Sequence, residues 1–399
     1  MAGRHGVLGG QGLVGEAVDR IGGEPISARM ARKAPIRHLD LSLLTISVLL
    51  AAYGVVMVYS VTIHRQQEAG LDETQFLKRQ LAYAMAGVLV LFVMSTFDYR
   101  HLRGFSPFVY GTTILGLLVV LTPLGTVQKG ASRWIDLGAF QVQPSELAKI
   151  ALIITLSAYL AERMGDVRVR DIAACIALAV FPMFLIFLEP DLGTAMVFVA
   201  LTAALLLIAG AKIRHFLVLG ILGVVAITAA LQTGVLQDYQ VQRITAFLDP
   251  NPDVRSVGYN LTQSKIAIGS GGLRGKGIGG ENTQTSLDFV PEQHTDFIFT
   301  AVGEQVGFVG SATLLALFAF LLWRAIRIAT MARDLFGVLL ASGCAALWAF
   351  QLFVNIGMTM GIMPITGIPL PFISFGGSSL ITNFAAIGLL MNVHMRRFL

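Results

Sequence analysis

Polar and charged residues punctuate an otherwise apolar chain at intervals that suit a membrane. Apolar runs fall near 41–62, 80–97, 105–123, 146–161, 171–188, 192–210, 216–233, 297–323, 335–355 and 374–393. Crossing a bilayer takes roughly 20 residues of helix, so these runs predict about ten transmembrane helices and place both termini on one side. The fourth run is short and holds Lys149, and the sixth begins at Asp191. The pattern predicts an all-α, polytopic integral membrane protein.

Loop charge sets the orientation. One set of loops carries Arg29, Arg32, Lys33 and Arg37, then Arg100 and Arg103, Arg163, Arg168 and Arg170, Lys212 and Arg214, Arg324, Arg327 and Arg333, and finally Arg396 and Arg397. The alternate loops are mixed or uncharged. Basic loops stay on the cytoplasmic side, so both termini are expected in the cytoplasm. The long segment between the seventh and eighth helices (234–296) is then a large extracytoplasmic loop. Residues 1–37, rich in Gly and Arg, read as a disordered cytoplasmic tail, and 38–399 as the transmembrane domain.

Composition agrees. Of 399 residues, 55% are hydrophobic and 13% charged, against roughly 25% charged in soluble domains. A net charge of +5 reflects orientation, and nucleic-acid binding does not follow from it. Cys175 and Cys344 sit in apolar runs and make neither a disulfide framework nor a metal motif.

Three outer segments carry the candidate chemistry. Residues 124–145 hold Arg133 and Trp134 and run into Glu146 and Lys149. Here a local Glu146–Lys149 ion pair and a cavity cation are both open readings, and Trp134 suits an interfacial anchor. Residues 356–379 are apolar, but Pro364, Pro369 and Pro371 preclude a regular helix. Irregular backbone at that depth must be buried in protein or line a cavity, so this segment is read as a re-entrant wall. A tight turn with two carboxylates, Glu189 and Asp191, joins the fifth and sixth runs.

The third segment ends at Val290-Pro291-Glu292-Gln293-His294-Thr295-Asp296, directly before an apolar run. Asp296 suits the N-cap of the helix that follows, and it suits a catalytic carboxylate. Both roles stay open. Glu304, about 12 Å further along that helix at 1.5 Å per residue, has to be paired or face water. Gly275-Lys276-Gly277-Ile278-Gly279-Gly280 matches a nucleotide-binding glycine pattern but has no strand–turn–helix around it, so a loop is the better reading.

Several long motifs, in order, resemble the SEDS family (shape, elongation, division and sporulation) of bacterial cell-wall proteins. They are Arg133-Trp134-Ile135, Gln143-Pro144-Ser145-Glu146-Leu147-Ala148-Lys149, Glu189-Pro190-Asp191-Leu192-Gly193-Thr194, Tyr259 with Gln263-Ser264, Ala267 to Gly272, Pro291 to Phe299, and Pro369 to Ser379. The resemblance covers residue 38 to the end. Thr283 to Phe289 leading into Pro-Glu-Gln-His is similar to RodA, the elongation branch; FtsW, the division branch, usually has Ala where this chain has Gln293.

The resemblance implies a peptidoglycan glycosyltransferase that joins lipid II into glycan strands in the bacterial inner membrane. It implies Asp296 as the essential acid and a class B penicillin-binding protein as partner, alongside other elongation-complex membrane proteins. The chemistry asks for a base on the acceptor hydroxyl, for which Asp296 is the candidate, and for cations on the departing undecaprenyl diphosphate. Arg133, Lys149, Arg243 and Lys276 are candidates for the second task. Trp134, Glu189, Asp191, Gln263, Ser264, His294, Thr295 and Ser378 complete the expected substrate-binding set. A divalent cation, Mg or Mn, on Asp191, Glu189 or Asp296 is a further candidate. The rival classes are a lipid II flippase, which ten spans and broken outer segments also suit, and a non-catalytic scaffold.

Overall fold

The computed structural model describes residues 38–128, 131–136, 138, 140–233, 241, 257–280, 283–287, 289 and 292–397. The proposed tail, 1–37, and Arg243 lie outside the described residues. Each of the ten apolar runs forms a helix: α1 Leu41–Glu68, α2 Gln75–Thr96, α3 Tyr99–Val120, α4 Pro144–Leu160, α5 Val169–Leu188, α6 Leu192–Ile208, α7 Ile213–Thr233, α9 Ile298–Thr330, α10 Leu335–Met360 and α11 Gly377–Arg396. An eleventh, α8 (Val257–Ser270), lies in the long outer segment. Seven of them are long and apolar enough to cross a membrane, while α6 and the Ile213–Val225 part of α7 are shorter apolar helices.

Local chemistry sets the helix ends. Asp40, Asp98, Asp191 and Asp334 each cap a helix by accepting a backbone N–H in its first turn, supplying one of the donors a helix start leaves orphaned. Pro144 opens α4, where its missing N–H costs nothing. Gly361 closes α10 in the left-handed conformation.

The loops predicted to be basic gather at one end of the bundle and are tied across it. Arg324 pairs with Asp40, Arg100 reaches Asp334 at 3.6 Å, Arg396 reaches Asp98 at 3.5 Å, and Arg163 reaches Asp171 at 3.1 Å. All the candidate chemistry lies at the opposite end. Between the two, and among the seven helices long and apolar enough to cross a membrane, α11 is the most enclosed, with 89% of its apolar window buried, followed by α10 at 61%.

The all-α expectation needs one amendment. Residues 125–142 form a three-stranded antiparallel sheet, β1 (Gly125–Gln128), β2 (Ala131–Asp136) and β3 (Gln141–Val142), in the order β1-β2-β3. Thr126 pairs with Trp134 and Ile135 with Val142. Strands this short give no readable alternation, which is why the sequence pattern missed them.

Candidate active site

Residues 364–378 organise the outer end. They start against α6, where a side chain at Gly193 would meet the Thr366 carbonyl at 2.7 Å. They then cross α10, whose Asn355 Nδ2 donates to the Ile368 carbonyl at 2.7 Å. Further on they meet the loop before α9, and finally Ser378 accepts from Gln143 N (2.9 Å) and donates to the Gln141 carbonyl (3.1 Å) beside β3. The expectation of a proline-rich wall thus has its physical basis: this segment touches the α5–α6 turn side of α6, α10, the loop before α9 and the end of the β-sheet.

The loop 292–297 carries Asp296. It turns on Glu292, whose φ of 55° lies in the sparsely populated left-handed region. The Glu292 carbonyl accepts the backbone N–H groups of Thr295, Asp296 and Phe297 at 3.1–3.3 Å. Three successive carbonyls are then held from outside: His294 O by Phe375 N at 2.9 Å, Thr295 O by Ser374 Oγ at 2.6 Å, and Asp296 O by Asn355 Nδ2 at 3.0 Å. The N-cap position of α9 is Phe297, with no side-chain cap. Asp296 stands one residue earlier and is half-buried. The His294 ring packs edge-on against Phe76 (5.5 Å between centroids) and tilted against Phe375 (5.9 Å).

From Phe375 the aromatic contacts run on to Tyr83 (6.3 Å) and from Tyr83 to Phe140 (6.1 Å). There they reach an apolar groove of about 330 Å³ between α2, β3, α4 and α11, lined by Tyr83, Ala86, Phe140, Val142, Leu147 and Ile381 among others.

Beneath the loop lies Glu304, fully buried on α9. It accepts from Lys276 Nζ at 2.8 Å, Gln284 N at 2.8 Å, Thr285 N at 2.9 Å and Thr285 Oγ1 at 2.5 Å. Gln293 Nε2 donates to the Thr285 carbonyl at 2.8 Å, which links this hub to the Asp296 loop. The glycine pattern now has its explanation. Helix α9 kinks at Gly307 (φ 68°, ψ −161°), and the 271–277 loop packs into the kink. A side chain on Gly307 would lie 2.3 Å from Gly275 N, and one on Gly275 (φ 75°) would lie 2.2 Å from the Gln305 carbonyl. Gly275 and Gly307 let two backbones touch.

The remaining expected residues divide by what already holds them. Lys149 Nζ meets Glu146 Oε1 at 2.6 Å, with both side chains almost fully enclosed; the ion-pair reading of that pattern is the correct one. Arg133 donates from Nε to the Glu189 carbonyl at 2.9 Å and from Nη2 to the Pro190 carbonyl, stapling β2 to the α5–α6 turn. Trp134 is half-buried, its carbonyl accepting from Thr126 Oγ1 at 3.0 Å. Both Asp191 oxygens serve Thr194, from its N (3.1 Å) and its Oγ1 (2.9 Å). Glu189 is 1% exposed, and neither carboxylate oxygen has a hydrogen-bond partner among the described residues. Burial, and secondarily the charge of Asp191, push its carboxyl up to about 8 against the pull of Arg133.

Ser264 is buried between Thr300 Oγ1 (2.5 Å) and the Thr359 carbonyl (2.8 Å), a structural role, and Gln263 is half-buried on α8. Thr295 Oγ1 turns back to the Glu292 carbonyl at 3.2 Å. Among the described residues no group of three or more His, Cys, Asp or Glu side chains is placed to hold a metal. Sequence reasoning missed Asn355 and Ser374. Their signal was present, an amide within an apolar run and a serine in the proline-rich segment.

Residues 40–398 match the model of the cell cycle protein family FtsW/RodA/SpoVE. The chain is 38% identical to stage V sporulation protein E of Bacillus subtilis over 357 residues, covering 89% of this chain and 96% of that protein. It is 37% identical to peptidoglycan glycosyltransferase MrdB of Escherichia coli over 360 residues (90% and 94%). It is also 39% identical to the probable peptidoglycan glycosyltransferase FtsW of Geobacter metallireducens over 366 residues (90% and 96%). Among solved structures it superposes on a chain of a peptidoglycan synthase complex with TM-score 0.76 at 33% identity, covering 90% of this chain and 98% of that one. It superposes on the rod shape determining protein RodA of Thermus thermophilus with TM-score 0.67 at 31% identity (90% and 98%).

Proposed function

The chain belongs to the FtsW/RodA/SpoVE family and is a peptidoglycan glycosyltransferase, and on that premise we propose that it polymerises lipid II with Asp296 as general base. The acceptor sugar hydroxyl attacks the anomeric carbon of the donor. Its proton passes to the Asp296 carboxylate while the bond from that carbon to the diphosphate oxygen breaks, and undecaprenyl diphosphate leaves. The attack comes from the face opposite the leaving group, so the anomeric configuration inverts.

One observation carries the reading. Asp296 is half-buried on a loop fastened on three successive carbonyls, and the adjacent His294 starts the aromatic run that ends at the apolar groove. A prenyl chain held in that groove between helices brings its sugar to the depth of Asp296. Holding the two reactants in this way replaces much of the entropic cost of a bimolecular encounter.

Charge stabilisation on the diphosphate falls to Arg133 and Lys276. Both are at least partly exposed, whereas Lys149 is closed on Glu146. Arg forks match phosphate oxygens, and Arg133 has its guanidinium at the α5–α6 turn with Nε and Nη2 on carbonyls. If a divalent cation takes part, Asp296, Asp191 and Glu189 are the carboxylates that would hold it. It would screen the diphosphate charge.

The chain acts in the bacterial inner membrane beside a crosslinking transpeptidase of the class B penicillin-binding type, during cell elongation. In support, one superposing chain comes from a synthase complex in which polymerisation and crosslinking are coordinated. To test the reading against a flippase, purified full-length chain in vesicles is given fluorescent lipid II. A polymerase consumes it and yields long glycan; translocation of intact lipid without glycan would refute the assignment.

A further inference from the structure

The three donors that hold the Asp296 loop are not alike. Phe375 contributes a backbone N–H and Ser374 a hydroxyl, both from the neighbouring irregular segment. The third comes from Asn355, a fully buried side chain in the middle of the outer half of α10. Placing a primary amide inside an apolar span is costly unless its donors are used, and here both are. One goes to the Asp296 carbonyl at 3.0 Å and the other to the Ile368 carbonyl at 2.7 Å. Its Oδ1 has no hydrogen-bond partner among the described residues. Two donors and no acceptor are therefore what this position uses.

We infer that Asn355 is a positioning residue for glycosyl transfer, its amide fixing the backbone of Asp296 against the 366–375 wall. The inference rests on Asp296 being the base. Among the described residues no other side chain bridges these two carbonyls, which belong to segments more than seventy residues apart in sequence. Without the bridge the Asp296 end of the loop keeps the Glu292 turn but loses its register with the wall. Ser374 performs the same service one residue earlier while its Oγ also accepts from Leu370 N at 2.8 Å, so the two tethers act on one loop.

The test uses the full chain in vesicles with lipid II, comparing Asn355→Leu, Asn355→Asp, Ser374→Ala and the Asn355→Leu/Ser374→Ala double variant. A displacement on the order of 1 Å costs about 100-fold in rate. Asn355→Leu is therefore expected to lose about 10- to 100-fold in kcat with KM for lipid II within about two-fold of wild type. Asn355→Asp keeps the shape but, when ionised, has no donor; its activity relative to wild type is expected to rise as pH falls and one O–H donor returns. The double variant is expected to lose less than the product of the two single losses. Wild-type kcat in Asn355→Leu, or losses that multiply and simply follow the melting temperature, would overturn the inference. An active Asp296→Asn would instead overturn the reading beneath it, whereas an inactive Asp296→Asn beside a fully active Asn355→Leu would remove only the positioning role.

Discussion

Replacing Glu304 with Ala should release the loop that precedes the Asp296 segment, and the size of the effect follows from its partners. The carboxylate accepts two backbone N–H groups, Gln284 and Thr285, together with the Thr285 hydroxyl and the Lys276 ammonium. Leaving a buried donor unsatisfied costs about 1–3 kcal/mol, so the two amides alone account for about 2–6 kcal/mol. The Lys276 side chain is 35% exposed and recovers water when released, so the ion pair adds little beyond that. Net destabilisation of about 3–5 kcal/mol is expected, in the range for breaking a buried pair. Hydrogen exchange on the purified protein reads it directly: each 1.36 kcal/mol of local stability is tenfold in opening, so peptides covering 283–287 should exchange about 100-fold faster or more. Glu304→Gln, which keeps one oxygen acceptor, should fall between. Unchanged protection at 283–287 in Glu304→Ala would refute the assignment of Glu304 as the hub of this loop.

Glu189 holds its proton more tightly in the folded chain, its pKa moving from 4.5 to about 8. The stability it contributes is therefore fully present below pH 4.5 and lost as pH rises through about 8, a change of a few kcal/mol at about 1.36 kcal/mol per unit. The melting temperature of Glu189→Gln should accordingly lack the part of the wild-type decline between pH 5 and 8 that this group causes; parallel curves would remove it. Lys149→Met strands the enclosed Glu146 carboxylate and should destabilise the fold by about 3–5 kcal/mol, while adding Glu146→Gln should recover most of that loss, measured by thermal unfolding. Ala86→Trp fills the apolar groove and should raise KM for lipid II about tenfold or more with little change for an analogue of shortened lipid. Equal effects on both substrates would take the prenyl chain out of the groove.

The spans were legible because length and hydropathy are local properties: each apolar run became a helix, and the basic loops among the described residues lie at the same end. What the chain pattern could not show is what each polar group meets. The Glu146 partner of Lys149 was within reach of the sequence, three residues away, whereas the Glu304 partner of Lys276, 28 residues away and leaving Lys276 35% exposed, was not. Asp296 read equally well as a helix cap, and the turn at Glu292 that places the cap position at Phe297 has no signature in the sequence periodicity. The glycine run around Gly275 acquired meaning only when α9 kinked at Gly307, a backbone event with no periodicity to announce it. Asn355 lies within an apolar run, where a single amide leaves the hydropathy pattern almost unchanged. The β-strands at 125–142 escaped for the opposite reason, being too short to show alternation.

The chain is a peptidoglycan glycosyltransferase. We propose that this chemistry turns on the Asp296 carboxylate accepting a proton at the outer edge of the bundle. Asp296→Asn, purified and given lipid II, measures this most directly through turnover and lipid binding on the same sample. The account predicts wild-type affinity for lipid II, an unchanged melting temperature and no detectable glycan; glycan formed at near the wild-type rate would contradict it.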